Sequence, residues 1–572
     1  MNQPASATLN FLNNPQNRHW CEQAGRILPH QRHYRLAPDW PESDAAAFAG
    51  LADRLRQDGA RLLMLSGRPE QYRLNAQFTY YLIFDLFNFP TPVSESGILL
   101  ILEYTTAATT LPPLLAVFLN HPFYGDAVNT FWQKLKIELP GRPGESPAAQ
   151  PDPGRVTLNV GPDHAGIIPP GQFQFSLSGE EIDRLNIQLN FTRKQLAAQF
   201  ARGTLVDGAR LAAFIAGGHA VAHATAYCRA VESLANLSLP QQAALLRTLL
   251  LELERIHNHL HTLGGLVEHT GNAVAASDFF WQEEEIRKMC GQIFGDRLLR
   301  NQVVVGGVQA ELTIPRLRHI RAVVAGVVQA AVQLGKQLYH APPLRERLIN
   351  CGTLTRQHAI KTGTTGLAWR ASGQQTQSDR AAQKTVRTGP DYPADFRLRY
   401  PEAGYTTGLI QEILGKHFTA GRAPVFSQYN YRGDCFSRFL LRIEEIALSG
   451  KIIEDAVQNL TTLSNSADPP RLDPGEVGVR LRQAAPFSLG LAVVEGTVGP
   501  VCCLVLKDSG EHVEFFALAD ASLLNWQGLR AACTHPANQS GPGVGPVFSE
   551  NLLGDFPLIN KSFDLSYSAR DL

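Results

Sequence analysis

The sequence contains no two cysteines spaced as Cys-x-x-Cys. Its eight cysteines stand at positions 21, 228, 290, 351, 435, 502, 503 and 533, and apart from the adjacent pair 502–503 they are far from one another. Iron–sulfur clusters and thiolate zinc sites are bound by closely spaced cysteines, so the sequence predicts neither of them in this chain. The dispersed pattern is typical of free thiols in a reducing cytoplasm.

The sequence also lacks net charge and long hydrophobic runs. Lys and Arg number 52, and Asp and Glu also number 52, with no basic stripe for nucleic acid. The first twenty residues have no apolar core of a signal peptide. Two apolar stretches, 97–120 and 320–334, are too short or too interrupted for the roughly 18–20 residues that span a membrane. We therefore expect a soluble chain that reaches a membrane only through partners.

Proline and glycine divide the chain. Residues 140–154 contain five prolines and three glycines, which predicts a linker. Before it, the pattern predicts a small α/β domain with a helix and three strands, at 51–57, 61–65, 78–84 and 98–104. After it, we predict strands and long helices at 156–159, 171–178, 240–265 and 434–457, with Asp434 as an N-cap. Residues 361–405 are predicted to be mostly loop. The fold class is α+β, with a mainly helical second domain that has a small β-sheet near its start.

Six sequence blocks occur in a fixed order after the linker: 161–168 (GPDHAGII), 226–232 (AYCRAVE), 254–260 (ERIHNHL), 367–373 (LAWRASG), 433–454 and 564–572. Together they resemble the large subunit of group 4 [NiFe]-hydrogenases and the related 49-kDa subunit of complex I, over residues 155–572. Residues 1–139 resemble, less closely, the 30-kDa-subunit domain of complex I. The resemblance implies three parts: 1–139, the linker 140–154, and 155–572.

The hydrogenase family binds nickel through two pairs of cysteines. The four matching positions here hold Ala216, His219, Ser566 and Ala569. Nickel in that site requires soft thiolates, so the resemblance implies a chain that binds no nickel. His219 and His223 are spaced to chelate zinc, but Ala220 stands where a metalloprotease motif has glutamate and no third ligand is evident.

Complex I relatives reduce quinone in the same cavity. By resemblance, Tyr227 and His164 would bind the quinone headgroup, whereas Ile168 replaces a second histidine. Residues 216, 219, 223 and 227 have helical spacing, so we expect them to share one face. The predicted catalytic residues are Tyr227, His219, His223, His164 and Arg370. The alternatives are that the histidines and the tyrosine are core residues, and that Arg370 forms a salt bridge in a loop.

Two further clusters have surface interpretations. The run 257–261 contains three histidines and is predicted to lie on a solvated or interface face. Glu444 and Glu445, with Arg442, are predicted to form helix-surface pairs or contacts to a neighbouring subunit.

The resemblance implies a peripheral oxidoreductase subunit, on the cytoplasmic side of the cell membrane, in a complex-I-like or hydrogenase-4-like complex. Its expected partners are a small subunit that carries a [4Fe–4S] cluster and proton-pumping-type membrane subunits. The chain itself would bind no cofactor, with quinone as the one candidate exception, and NADH:quinone chemistry is the activity of the complex I relatives. The alternative is a structural or coupling subunit without chemistry.

A first test concerns nickel. Because no thiolate stands at the four family positions, elemental analysis of the purified complex should find nickel well below one atom per chain. We also expect no hydrogen uptake or evolution. One nickel per chain would contradict the interpretation.

Overall fold

The computed structural model describes residues 21–25, 31–36, 51–52, 54–55, 61–70, 77–86, 98–106, 155–166, 168–189, 191, 194–372, 425–426, 431–463, 469–534 and 551–567. These residues form two compact units. The N-terminal unit contains the described residues before 148 and the segment Ile360–Thr364, and the C-terminal unit contains the rest. The predicted linker 140–154 lies outside the described residues.

The N-terminal unit is built on a five-stranded sheet. Its strands are β1 (Cys21–Gly25), β2 (Gln31–Leu36), β3 (Arg61–Glu70), β4 (Gln77–Leu86) and β5 (Ile98–Thr106). Their order in the sheet is β1-β2-β5-β4-β3; the β2–β5 pair is parallel and the other three pairs are antiparallel. The three strands predicted here are confirmed and lie within β3, β4 and β5. The likeness of this unit to the 30-kDa-subunit domain stays a prediction.

The C-terminal unit begins with an antiparallel sheet, as predicted. Its strands are β6 (Val156–Val160), β7 (Gln172–Ser178) and β8 (Glu181–Gln188), in that order. Buried residues alternate along β7, because one face of that strand packs on the interior. In β6, Val156 and Leu158 are exposed.

Helices make up most of this unit. They are α1 (Leu196–Phe200), α2 (Gly208–Ala212), α3 (Ala220–Leu234), α4 (Gln241–Glu268), α5 (Ala273–Phe294), α6 (Ile314–Tyr339), α7 (Pro342–Leu348), α8 (Arg356–Lys361, of which 356–359 belong to this unit), α9 (Gly366–Ala371), α10 (Cys435–Leu463) and α11 (Pro474–Gln483). A two-stranded hairpin, β9 (Val303–Val304) and β10 (Gly307–Val308), stands between α5 and α6. Helix α4 packs against α5 and α10, and α10 also packs against α6. Among the described residues, no helix has the length and apolar character that a membrane crossing would need.

A second sheet lies close to the C-terminal end and was not predicted. Strands β11 (Leu489–Glu495), β12 (Pro500–Lys507) and β13 (Val513–Ala519) form an antiparallel meander. Helix α12 (Ala521–Thr534) follows, and α13 (Phe556–Phe563) packs against α4, α10 and α12. Every residue of β11 and β12 is buried, so these strands have no alternating pattern.

Helix α3 lies directly on β11 and β12. Its many alanines leave a thin helix that is buried on nearly all sides. At the contact with β11, a Cβ on Gly490 would lie 2.1 Å from the carbonyl oxygen of Ala230. The small residues on both elements therefore allow the close approach that places α3 in the core.

Two predicted boundaries differ from the structure. Helix α4 does not end at Gly264–Gly265 but continues to Glu268. A Cβ at Gly264 would lie 2.6 Å from the Phe280 ring, and one at Gly265 would lie 2.6 Å from Lys561, so these glycines permit close packing rather than a helix end. The predicted loop 361–405 is also interrupted, because Gly366–Ala371 is helix α9. Residues 373–405 lie outside the described residues.

A buried ionic network joins α4, α9, α10 and β11. Glu445 is fully buried and bonds to the Arg370 guanidinium and to His259 Nε2, the latter at 2.8 Å. Arg370 also donates to Glu495 Oε1 at 2.9 Å, and Arg255 Nη1 lies 3.8 Å from Glu445. Burial alone would raise the pKa of Glu445, but Arg370 and His259 hold it well below its usual range. The prediction of helix-surface pairs at Glu445 was wrong.

Breaking this network should destabilise the fold. Glu445→Gln keeps the side-chain shape but removes the buried negative charge that Arg370 and His259 bond to, so Arg370 retains only Glu495 and Arg255 only Glu252. We expect a loss of about 3 kcal/mol in the free energy of unfolding. Denaturant titration of the purified chain would measure it.

Glu454→Gln is the matched control, because Glu454 lies on the same helix and bonds to Arg321, with both side chains more than half exposed. Its stability should be unchanged within error. Equal effects for the two variants would contradict the role given to the buried network.

Candidate functional site

The start of α3 is fixed by a side chain from another helix. Ala216 is extended, and Gly217–His219 form one turn of 3₁₀-helix before α3 begins. Glu254 on α4 accepts hydrogen bonds from the backbone N–H of Val221 at 2.6 Å and of Ala222 at 3.1 Å. These donors have no partner within α3, so Glu254 acts as the N-terminal cap. Burial raises the pKa of Glu254 to about 8, although both bonds act in the opposite direction.

The expected shared helical face is only partly present. His223 and Tyr227 lie on α3, but His219 precedes its first residue and Ala216 lies before the 3₁₀ turn. Glycines 217 and 218 interrupt the helical spacing at this point. All four side chains are nevertheless buried.

His219 and His223 form a buried imidazole pair. Their ring centroids are 5.7 Å apart. Burial, and then the proximity of His223, lower the pKa of His219 to about 4, so His219 is neutral at pH 7. His223 Nε2 lies 3.7 Å from Asp520 Oδ2. Asp520 joins β13 to α12, and burial alone would raise its pKa, but the two histidines hold it below its usual value.

The C-terminal segment meets the same place. Asp564 ends α13 in the left-handed conformation, and its Oδ2 accepts a hydrogen bond from Thr262 at 2.6 Å. The backbone N–H of Ser566 donates to Ser522 Oγ at 2.9 Å, two residues after Asp520. Asp520 and Asp564 both raise the pKa of His219, against the larger effect of burial. The two halves of the metal-motif resemblance therefore meet around His219; Ala569 lies outside the described residues.

The side chains at the matching positions do not fit nickel. The three described positions offer a methyl group, an imidazole and a hydroxyl, at Ala216, His219 and Ser566. None of these is the soft thiolate that nickel requires. Within the described ranges, no group of three or more His, Cys, Asp or Glu side chains could hold a metal ion.

Tyr227 lies in an aromatic cluster. Its ring packs against Phe200 and Phe516, with centroid distances of 5.3 and 6.0 Å. Its hydroxyl donates to the Leu205 carbonyl oxygen at 2.9 Å. A Cβ at Gly208 would lie 2.1 Å from this hydroxyl, so the glycine makes room for it. Burial raises the pKa of Tyr227 well above its usual value.

His164 lies in the loop between β6 and β7. Its Nε2 is 2.7 Å from the Gly171 carbonyl oxygen, and its ring lies 6.0 Å from that of Phe173. Ile168 is half-buried and has no polar atom in its side chain. His164 and Tyr227 are both bonded to backbone carbonyls, and the assignment of a quinone headgroup to them stays a prediction. Their catalytic roles stay predictions.

Arg370 lies on a helix and forms the salt bridges with Glu445 and Glu495 described above. It holds those two carboxylates together, and its catalytic role stays a prediction. The neighbouring Glu444 accepts hydrogen bonds from the backbone N–H of Val425 and Phe426 and is buried, so its predicted surface pair was also wrong. Burial raises the pKa of Glu444 to about 7.

Sequence reasoning missed several residues around the imidazole pair. Asp520 follows an apolar strand and has no motif of its own. Asn258 donates to the Gly218 carbonyl and lies 3.3 Å from Thr497 Oγ1, which fixes the turn before His219. Glu254 and Asn258 belong to the block 254–260 and could have been found from it, because they are four residues apart on one helix face.

A family model matches one part of the chain. Residues 270–383 match the family described as respiratory-chain NADH dehydrogenase, 49 Kd subunit. The chain is 26% identical to the C/D subunit of NADH-quinone oxidoreductase from Phocaeicola vulgatus, over 54% of this chain and 53% of that protein.

Hydrogenase subunits are similar as well. The chain is 25% identical to the alpha subunit of the membrane-bound hydrogenase of Pyrococcus furiosus, over 53% of this chain and 65% of that protein. It is also 25% identical to hydrogenase-4 component G of Escherichia coli, over 72% and 61%. The chain thus spans about half to two thirds of the curated relatives it matches.

A solved structure shows the same fold. It belongs to the membrane-bound sulfane sulfur reductase, described as an archaeal respiratory membrane complex. The TM-score is 0.58 at 20% identity, over 74% of this chain and 100% of that chain. At this identity the likeness concerns the fold alone.

The histidine run on α4 is not a solvated face. His257 and His259 are fully buried, and only the side chain of His261 is about half exposed. Burial lowers the pKa of His257 to about 3 and that of His259 to about 4. Both ring nitrogens of His257 lack a hydrogen-bond partner among the described residues. Helix α4 is enclosed by α5, α10 and α13, which explains the burial.

These buried histidines should make the fold sensitive to acid. Because their pKa values are lower in the folded chain than in the unfolded one, their stabilisation is complete above about pH 6.5 and is lost as pH falls towards 4. His257→Leu should reduce that loss by about 2 kcal/mol between pH 6.5 and 5. Tm measured from pH 7.5 to pH 5 would show a shallower decline. The exposed His512→Leu serves as the control, and identical declines in all three proteins would contradict the prediction.

Proposed function

We propose that this chain is the large peripheral subunit of a membrane-bound, complex-I-like or hydrogenase-like oxidoreductase complex, and that it works without nickel. The relatives' names support membership of such a complex. Two observations support the nickel-free part: the C-terminal block lies near His219 through Asp564, and none of the matching positions Ala216, His219 and Ser566 carries a thiolate. On this proposal, the imidazole pair takes over the position of the metal-binding motif.

The imidazole pair of His219 and His223 can couple the arrival of a nearby negative charge to the uptake of a proton. With a pKa of about 4, His219 is a neutral imidazole at pH 7 and does not carry the second ring proton of an imidazolium. If one negative charge arrived within about 8 Å, it would stabilise the imidazolium by about 2 kcal/mol at an effective dielectric constant of about 20. That is about 1.5 pKa units, so His219 would become a far better proton acceptor after reduction of a neighbour. Asp520 beside His223 supplies a fixed countercharge.

Electrons would have to come from a partner. No cluster ligands are found in the part of the chain that the structure describes, and the resemblance assigns a [4Fe–4S] cluster to the small subunit. We propose that this subunit binds near the 161–168 loop and the start of α3, and that proton-pumping-type membrane subunits complete the assembly on the cytoplasmic side of the membrane. For quinone to bind here, the Tyr227 hydroxyl would have to leave the Leu205 carbonyl oxygen and donate to the quinone instead.

A structural or coupling subunit is the second candidate. It is favoured by the hydrogen bonds of Tyr227 to Leu205 and of His164 to Gly171, which satisfy both predicted donors. On this alternative, the imidazole pair would be only part of a packed core.

Electron flux through the complex, purified from its native membrane, distinguishes the two candidates. His219→Gln and His223→Asn should each lower flux by about 100-fold, the usual contribution of a positioned acid or base. The iron–sulfur small subunit should still co-purify with each variant. Tyr227→Phe keeps the packing, and a loss of flux there would support the donor role that the resemblance assigns to it.

His512→Gln changes an exposed histidine and should leave flux unchanged. If the His219 and His223 variants assemble and retain full flux, the structural alternative is correct. If no iron–sulfur protein co-purifies with the wild-type chain, the proposed assembly is wrong.

A further inference from the structure

Two cysteines that are distant in sequence meet at the start of α10. Cys435 is the first residue of this helix, and Cys351 lies in the loop after α7. The backbone N–H of Cys435 donates to the Cys351 carbonyl oxygen at 2.9 Å. The two thiol groups lie within hydrogen-bonding reach of each other. This arrangement belongs to neither the imidazole pair nor the predicted quinone residues.

The loop that carries Cys351 is firmly attached to the helix start. The N–H of Leu354 donates to the Gly433 carbonyl at 2.9 Å, and the N–H of Asn350 donates to Asp434 Oδ2 at 3.0 Å. Gly433 has φ +85°, and a Cβ there would lie 2.0 Å from the Leu354 carbonyl oxygen. The glycine therefore allows the close approach, and the two thiols are held in place by the backbone on both sides.

Two features around Cys435 favour a thiolate. Arg438 Nη2 donates to Cys435 Sγ at 3.4 Å, and the Cys435 thiol in turn donates to Ser562 Oγ at 3.4 Å. Arg438 is itself held by hydrogen bonds to Ser562 Oγ and to the Gly352 carbonyl, each at 2.9 Å. The thiol also stands at the N-terminus of a long helix, where the backbone dipoles stabilise negative charge. A nearby guanidinium and a helix N-terminus are the features of reactive cysteines.

The pKa values of the two thiols are shifted in opposite directions. Burial alone would raise the pKa of Cys435, but the hydrogen bond with Cys351 and the Arg438 guanidinium lower it to about 7. The same hydrogen bond, with burial, raises the pKa of Cys351. Cys435 is thus suited to react first as a thiolate. Cys351 stays a protonated thiol beside it and is suited to the second step.

We propose that Cys351 and Cys435 are a redox-active thiol pair, which closes to a disulfide when a small peroxide reaches it. The Cys435 thiolate attacks one oxygen of hydrogen peroxide and becomes a sulfenic acid, and the hydroxide that leaves takes up a proton to form water. The Cys351 sulfur then attacks the Cys435 sulfur and gives up its proton, and a second water leaves. Two thiols and one peroxide yield one disulfide and two waters. Cys435 is fully buried and Cys351 is 8% exposed, so the oxidant must be small.

The chain provides an internal control. Cys503 on β12 is also fully buried and lies near Cys228 and Cys502. Burial and those two thiols raise its pKa well above the usual value, and no cation is among the groups that act on it. Cys533 is a second comparison, because it lies near Cys435 but its pKa is raised by burial.

Mass spectrometry of the full-length chain tests the pair. The chain is treated with hydrogen peroxide, its free thiols are blocked, and it is digested with trypsin without reduction. Trypsin places Cys351 in residues 348–356 and Cys435 in residues 433–438, both distinct from the peptides of Cys503 and Cys533. We expect the cross-linked 348–356/433–438 species to form about tenfold faster than any oxidised product of Cys503.

Variants define the order of the two steps. Cys351→Ser should stop at the sulfenic acid of Cys435, which a dimedone-type probe would label, whereas Cys435→Ser should show neither the label nor the cross-link. Cys503→Ser should leave the cross-link unchanged. Equal rates at Cys435 and Cys503, or a disulfide between Cys435 and Cys533, would overturn the proposal. The wild-type measurement decides the question even if a variant does not fold, and it does not depend on electron transfer in the complex.

Discussion

The C-terminal unit depends on one buried carboxylate, Glu445. It lies on α10 and bonds to Arg370 of α9 and to His259 of α4, while Arg370 extends the network to Glu495 at the end of β11. Removing charges from water is costly, and only mutual pairing offsets that cost. The four elements must therefore be present together, and they enclose the region where the two halves of the metal-motif resemblance meet.

Secondary structure was predictable where the sequence had a clear hydrophobic period or a capping residue. The long helices α4 and α10 were predicted from their apolar stripes, and Asp434 was correctly identified as an N-cap, since its Oδ1 accepts from the N–H of Ser437 at 2.7 Å. Strands β11 and β12 were missed because they are buried on both faces, and a continuous apolar run does not distinguish strand from helix. The burial of Glu445 could not be predicted either, because its partners are about 75 and 186 residues away.

The candidate site was predictable in outline only. Motif likeness identified His219, His223 and Ser566, and the fold pairs the two histidines near the start of the C-terminal block that contains Ser566. It gave no indication of Asp520, because a single aspartate between a strand and a helix resembles an ordinary helix cap. It also assigned Tyr227 and His164 to a ligand, whereas the structure gives each of them a backbone carbonyl as partner. Hydrogen bonds to the main chain leave no signal in the sequence.

Glu254 explains how residue types near His219 can change without loss of the scaffold. In a protein whose helix start is held by a bound metal, loss of the ligands would release that end of the helix. Here the start of α3 is anchored by the carboxyl group of Glu254 on α4, which bonds to Val221 and Ala222. The side chains at positions 216 and 219 are consequently not needed to hold the backbone. The anchor of α3 is therefore separate from the side chains that occupy the two motif positions, and a substitution at either position would leave that anchor in place.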